Sequence, residues 1–180
     1  MPLSNALRIA FLGDIVGRPG RRVVEQQLPI VRAEHHPDIV IANAENARSG
    51  SGLTPAQYAQ FRERGIDAIT MGDHVYREPK ILDLLQQSGA MILRPLNLPT
   101  KSPGKASLRI ERPGRPAIDL VTVLGRIYFP LPADDPFAAV DRWLESLGDP
   151  NSIRIVEAHM EATSEKHALA RYLDGRVSAV

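Results

Sequence analysis

The chain contains no cysteine. Disulfides, thiolate metal sites and thiol nucleophiles are therefore excluded, and a reducing compartment fits. It also lacks any run approaching 18 consecutive apolar residues, so no membrane contact through a spanning helix is expected. No basic stretch followed by a long apolar run stands at the N-terminus, so no secretory leader is expected and the cytoplasm is the default location. An excess of one charge is missing too. The 22 Lys and Arg stand against 21 Asp and Glu, a net charge of +1, and this gives no bulk basic field to favour RNA or DNA as a partner. Internal repeats, low-complexity tracts and domain linkers are absent. What remains is an ordinary globular composition, 43% apolar and 24% charged, in 180 residues. That suits one domain, 1–180, with a sizeable core.

Short apolar runs alternate with helical patterns. "RIAFLGD" (8–14), "DIVIANAEN" (38–46) and "DAITMGDH" (67–74) read as strands that each end in polar residues. "AMILRP" (90–95), "AIDLVTVLG" (117–125), "IRIVEAHM" (153–160) and "RVSAV" (176–180) read as further strands, with "ERPGRPA" (111–117) as the turn of a local antiparallel hairpin. Helices are expected over 20–34, kinked at Pro29, then from Thr54 to Gly65, over 79–88, and from Asp135 to Gly148. Thr54, Pro55 and Gln57 make a capping box, and Asp135 with Pro136 repeats the start signal. Thr163 or Ser164 is the expected cap of a last helix running to Leu173. Such alternation means a parallel sheet covered by helices, an α/β fold.

The spacing of the polar residues carries the functional argument. Asp14 and Glu45 are 31 residues apart, Glu45 and Asp73 are 28, and one βαβ step takes roughly 30 residues. Each acid thus follows one strand at the same end, where open α/β sheets bind ligands. His159 follows a later strand in the same way. Asp14, Glu45, Asn46, Asp73, His74 and His159 are therefore expected at one mouth. Carboxylates gathered there repel one another and call for a cation. Oxygen donors with imidazole suit Mn, Fe or Zn-type divalent ions, and two ions sharing one carboxylate would make the clamp used in phosphoester hydrolysis. Any one of these acids alone reads as a cap or turn residue. The set at matching strand ends is what argues for a site. His35 and His36 read as partners of a helix C-terminus, and His167 as surface. "GDIVGRPG" (13–20) fits neither common nucleotide-loop pattern. Its glycines are expected to let the backbone turn beside Asp14, with Gly20 opening the helix.

At these residues "FLGDIVGRPGR", "NAEN", "ITMGDH", "RPLNLP", "DDPF", "HMEATSEK" and "YLDGRVSAV" together resemble the YmdB-like phosphodiesterases of the calcineurin-like metallophosphoesterase superfamily, from Arg8 to Val180. The resemblance implies an α/β metallophosphoesterase sandwich of mixed sheets flanked by helices. It also implies a hydrolase acting on phosphodiesters such as 2′,3′-cyclic nucleotides. By motif, Asp14 and Asn46 match ligands of one metal, Glu45 the bridge, Asp73 and His159 ligands of the second, and His74 the proton donor. The implied cofactors are two divalent metal ions, Fe or Mn before Mg or Zn. The implied partners are a small phosphodiester and further copies of the chain in a homo-oligomer. The family has Gly-Asn-His where this chain has Gly-Asp-His at 72–74, which adds one negative charge to the metal cluster. The family also continues into a Gly-Thr-His-Thr-His stretch, so the sandwich is expected to be truncated at its C-terminus, with impaired activity. The rival expectation is an inactive metal- or nucleotide-binding module acting through assembly.

Overall fold

Three short strands, β1 (Ile9–Leu12), β2 (Ile39–Asn43) and β3 (Ala68–Thr70), lie side by side in that order and run parallel. This computed structural model describes residues 6–129 and 131–180. All five residues of β2 are buried, as a near-continuous apolar parallel strand requires. Between the strands run α1 (Gly17–His35) and α2 (Pro55–Glu63). The expected capping box of α2 is formed. Thr54 Oγ1 accepts from the Gln57 N–H at 3.2 Å, and Gln57 Oε1 from the Thr54 N–H at 3.0 Å. Gly65 follows with φ +90°, a conformation open to glycine. The first compact unit runs to Thr70 and takes in His74–Leu84, while the second holds Met71–Asp73 and Leu85–Val180.

The second unit is built on β6 (Ile118–Leu124), every residue of which is buried. β5 (Leu108–Ile110) pairs antiparallel with it across the expected hairpin, and β7 (Ile153–His159) pairs parallel through α4 (Pro136–Ser146). The Asp135 carboxylate caps α4, accepting from the N–H groups of Phe137 and Ala138. Val121, Val123, Val140, Trp143, Val156 and Leu169 form the core between β6, β7, α4 and α5 (Thr163–Tyr172). Burying each large side chain there contributes about 1.5–3 kcal/mol over leaving it in water. The whole is mixed α/β with two sheets flanked by helices, the class the alternation predicts. Among the described residues no helix is long and apolar enough to cross a membrane.

Local expectations differ in five places. α1 opens at Gly17, not Gly20, and holds Pro29 inside it. The segment 79–88 yields only α3 (Ile81–Leu85), and 90–95 only the two-residue β4 (Ile92–Leu93), which adds to the first sheet beside β3. α5 begins at Thr163 with Ala162 in the cap position, so neither Thr163 nor Ser164 caps it. "RVSAV" is no strand: only Ala179 bridges Ile155. The reason is upstream, where Arg176 and Val177 donate their N–H groups back to the Leu173 carbonyl and leave too few residues to propagate pairing.

Candidate metal centre

Register decides which residues leave the first sheet together. Leu12 pairs with Ala42, and Asn43 with Thr70, so the loops depart from the same end. Asp14 lies two residues beyond β1, Glu45 two beyond β2 and His74 four beyond β3. Two backbone bonds tie the first loop to the second: the Ile15 N–H donates to Asn43 O at 3.1 Å and the Gly17 N–H to Asn46 O at 2.8 Å. Gly17 has φ +58°, so the turn into α1 favours glycine.

These loops bring Asp14, Glu45, Asn46 and His74 together. Glu45 is only 2% exposed. Its Oε2 accepts the His74 backbone N–H at 3.1 Å, and its Oε1 accepts from Asn46 Nδ2 at 3.2 Å. Asn46 Nδ2 also donates to Asp14 Oδ2 at 2.8 Å, while Asn46 Oδ1 faces His74 Nδ1 at 2.6 Å. Ionised carboxylates only accept, so the amide must turn its NH2 toward them and its oxygen toward the ring. That oxygen also only accepts, so Nδ1 carries the hydrogen. His74 Nδ1 also lies 3.5 Å from Glu45 Oε1.

In the second unit, Asp73 and His159 meet, with Nε2 3.6 Å from Oδ1. His159 ends β7 opposite Leu124 at the end of β6. The Gly125 N–H donates to the His159 carbonyl at 2.9 Å, and the Phe129 ring lies 5.9 Å from the imidazole, centre to centre. Leu124 is held by a residue that is not among the candidate site residues, Asn97. Asn97 Nδ2 donates to the carbonyls of Leu124 and Asp134, both at 2.9 Å, and Oδ1 accepts the Leu124 N–H at 2.9 Å. A buried amide framed by apolar residues in "PLNLP" was the available signal.

The donor chemistry fits a divalent metal ion. Glu45 offers a buried carboxylate oxygen, Asp14 and Asn46 add oxygens, and the His74 ring lies beside them. A buried carboxylate and a second acid lie against one neutral NH2 group, a place where a cation is strongly favoured.

Acids, an amide and an imidazole gathered beyond the parallel strand ends of the first sheet, in an α/β fold of two sheets, fit the metallophosphoesterase class. The chain belongs to the YmdB-like protein family, whose profile matches residues 10–180. It is 38% identical over 174 residues to a 2′,3′-cyclic-nucleotide 2′-phosphodiesterase of Bacillus subtilis, covering 97% of this chain and 65% of that protein. It is 34% identical to a putative phosphatase/phosphodiesterase of Mycoplasma genitalium, covering 97% of this chain and 62% of that protein. Among solved structures, a hypothetical protein from Thermus thermophilus superposes with a TM-score of 0.88 at 44% identity, over 97% of this chain and 66% of that one. A structure described as a novel phosphatase from Mycoplasma pneumoniae superposes at 0.87 and 31% identity, over 96% and 62% respectively. The chain thus spans a little under two thirds of the length of these relatives.

Proposed function

We propose that this chain carries the metal centre of a phosphodiesterase that hydrolyses 2′,3′-cyclic nucleotides. The observation that carries the reading is the network in which Asn46 joins Asp14, Glu45 and His74. The name of the Bacillus relative supports the substrate class. Asp14 and Asn46 would hold one ion, Asp73 and His159 the second, and Glu45 would bridge them. Asp73 and His74 are consecutive residues, which supports a shared role for the two sets. Mixed carboxylate and imidazole donors favour Fe or Mn over Mg, with Zn as the alternative. When bound, the ions supply an activated water and polarise the phosphoryl oxygens.

His74 is the general acid. The Asn46 oxygen holds Nδ1–H, orienting the ring so that Nε2 can hand a proton to the leaving oxygen. Asn46 Oδ1 accepts from His74 with one lone pair and would offer its second to an ion. A cytoplasmic location and assembly into a homo-oligomer belong to the same reading. The first has the lack of cysteine behind it, and the second the exposed Phe11, Val16, Val23 and Ile30. The test is metal content together with turnover of a 2′,3′-cyclic nucleotide, for the chain and for Glu45→Ala. The variant should lose both ions and the activity. Full metal content in Glu45→Ala would remove Glu45 from the centre, and a metal-loaded wild-type chain without turnover would leave a binding module.

A further inference from the structure

A cavity of about 360 Å³ opens in the first unit, walled by the early turns of α1 and the end of α2. Four of its lining side chains are Arg18, Arg21, Arg22 and Arg64, and its one acid is Glu25. Four positive charges against one negative leave +3 in this cavity, while the chain as a whole carries +1. The charge that composition averages away is therefore concentrated in one concave place. Glu25 is already engaged, accepting from Arg64 Nη2 at 2.7 Å. Arg21 is bonded to a neutral acceptor, the Ala47 carbonyl, which leaves its charge uncompensated. Arg18 and Arg22 make no ion pair or hydrogen bond to another described residue. Arg18, Arg21 and Arg22 line one cavity without counter-charge and repel one another, and an anion that enters relieves all three at once. Their forked donors match the oxygens of a phosphate, and Gln26 and Gln60 add further donors to the wall.

We propose that this cavity binds a phosphate monoester dianion, at a site distinct from the candidate metal centre. Its volume suits one nucleotide-sized group rather than a strand, and a charge of +3 is more than enough for a dianion. Arg21 gives the site a consequence. Its guanidinium lines the cavity and also holds the carbonyl of Ala47, the residue after Asn46, so an anion bound here braces the loop that carries Glu45 and Asn46. Opening a cyclic phosphodiester leaves a phosphate monoester, so a product of the proposed reaction has the right chemistry to occupy the cavity. Only that last link rests on the proposed hydrolysis; binding itself does not.

The experiment uses the whole chain, freed of metal with a chelator, titrated calorimetrically with inorganic phosphate, a nucleoside 3′-monophosphate and the parent nucleoside. Both phosphates should bind, more weakly as salt is raised, and the nucleoside should not. Tighter binding of the nucleotide than of inorganic phosphate would identify the nucleotide as the ligand, and equal binding the phosphate group alone. The double variant Arg18→Gln/Arg22→Gln, which breaks no internal contact, should weaken phosphate at least tenfold at unchanged melting temperature. Glu45→Ala should bind phosphate as the wild type does. Unchanged affinity in the arginine double variant, or no phosphate binding to the metal-free chain, would overturn the proposal. So would an oligonucleotide lacking terminal phosphates that competes as well as the monoester.

Discussion

Arg109 and Asn46 both sit among carboxylates, and they treat them in opposite ways. Arg109 donates through Nη1 to both oxygens of Asp119 at 3.1 and 3.0 Å, through Nη2 to Asp149 at 2.7 Å and through Nε to Glu111 at 3.3 Å. The guanidinium is a permanent cation, and the Asp149 bond in particular raises its pKa further. In return Arg109, with the Asn151 backbone N–H second, holds the Asp149 carboxyl below its usual range. That cluster has a fixed cation at its centre and ties β5, β6 and the turn before β7 together. Asn46 offers two acids only the hydrogens of a neutral amide. Acids gathered about a fixed cation are architecture, whereas acids gathered about an amide keep an appetite for a mobile one.

The sharpest way to break this contrast is to give the second cluster a cation of its own. Asn46→Lys should displace metal and cut phosphodiester turnover by at least about a hundredfold, while leaving the metal-free chain as stable as before. Unchanged metal content would show that Asn46 is no part of the centre. His74→Ala should keep the metal and slow turnover by about a hundredfold. Its loss should shrink for substrates whose leaving group needs no proton, and an equal loss for every leaving group would count against an acid role. Asp73→Asn removes one negative charge. At equal metal occupancy it should tighten phosphate by no more than about tenfold, the scale of ~1 kcal/mol for one charge pair in water. Weaker binding would sink the charge argument. The smallest effect belongs to the Arg109 cluster. Because the folded-state pKa of Asp149 is depressed, its contribution to stability is full above the ordinary carboxylate range and is lost as pH falls through the folded value. Asp149→Asn should therefore melt lower than wild type near neutrality, with the gap closing in acid. A gap that widens in acid would contradict this.

The parts of the molecule fixed by local chemistry could be read in advance. Thr54, Pro55 and Gln57 satisfy their own helix end, and the spacing of Asp14, Glu45 and Asp73 follows from the length of a βαβ step. The gathering of Asp14, Glu45, Asn46 and His74 follows from that period plus parallel register. What was hidden depends on partners far along the chain. "RVSAV" has strand composition, yet its pairing is decided by Leu173, to which Arg176 and Val177 turn back. Arg64 lies 42 residues beyond Arg22, so no window on the sequence shows that they share a cavity. The orientation of the Asn46 amide is a property of three neighbours together, and no motif encodes it.

Asn97 also bears on how the protein ages. Asparagine is among the residues that heat damages first. Hydrolysis of its side-chain amide would exchange the NH2 that now faces the carbonyls of Leu124 and Asp134 for an acceptor oxygen. Two buried carbonyls would then confront a carboxylate, each unmade bond costing about 1–3 kcal/mol. The strand end opposite His159 would loosen without any change to a proposed ligand. A stored sample could lose its function through one chemical event at a residue that touches neither metal nor substrate, and intact-mass measurement would register it as a gain of about one dalton, the mass difference between an acid and its amide.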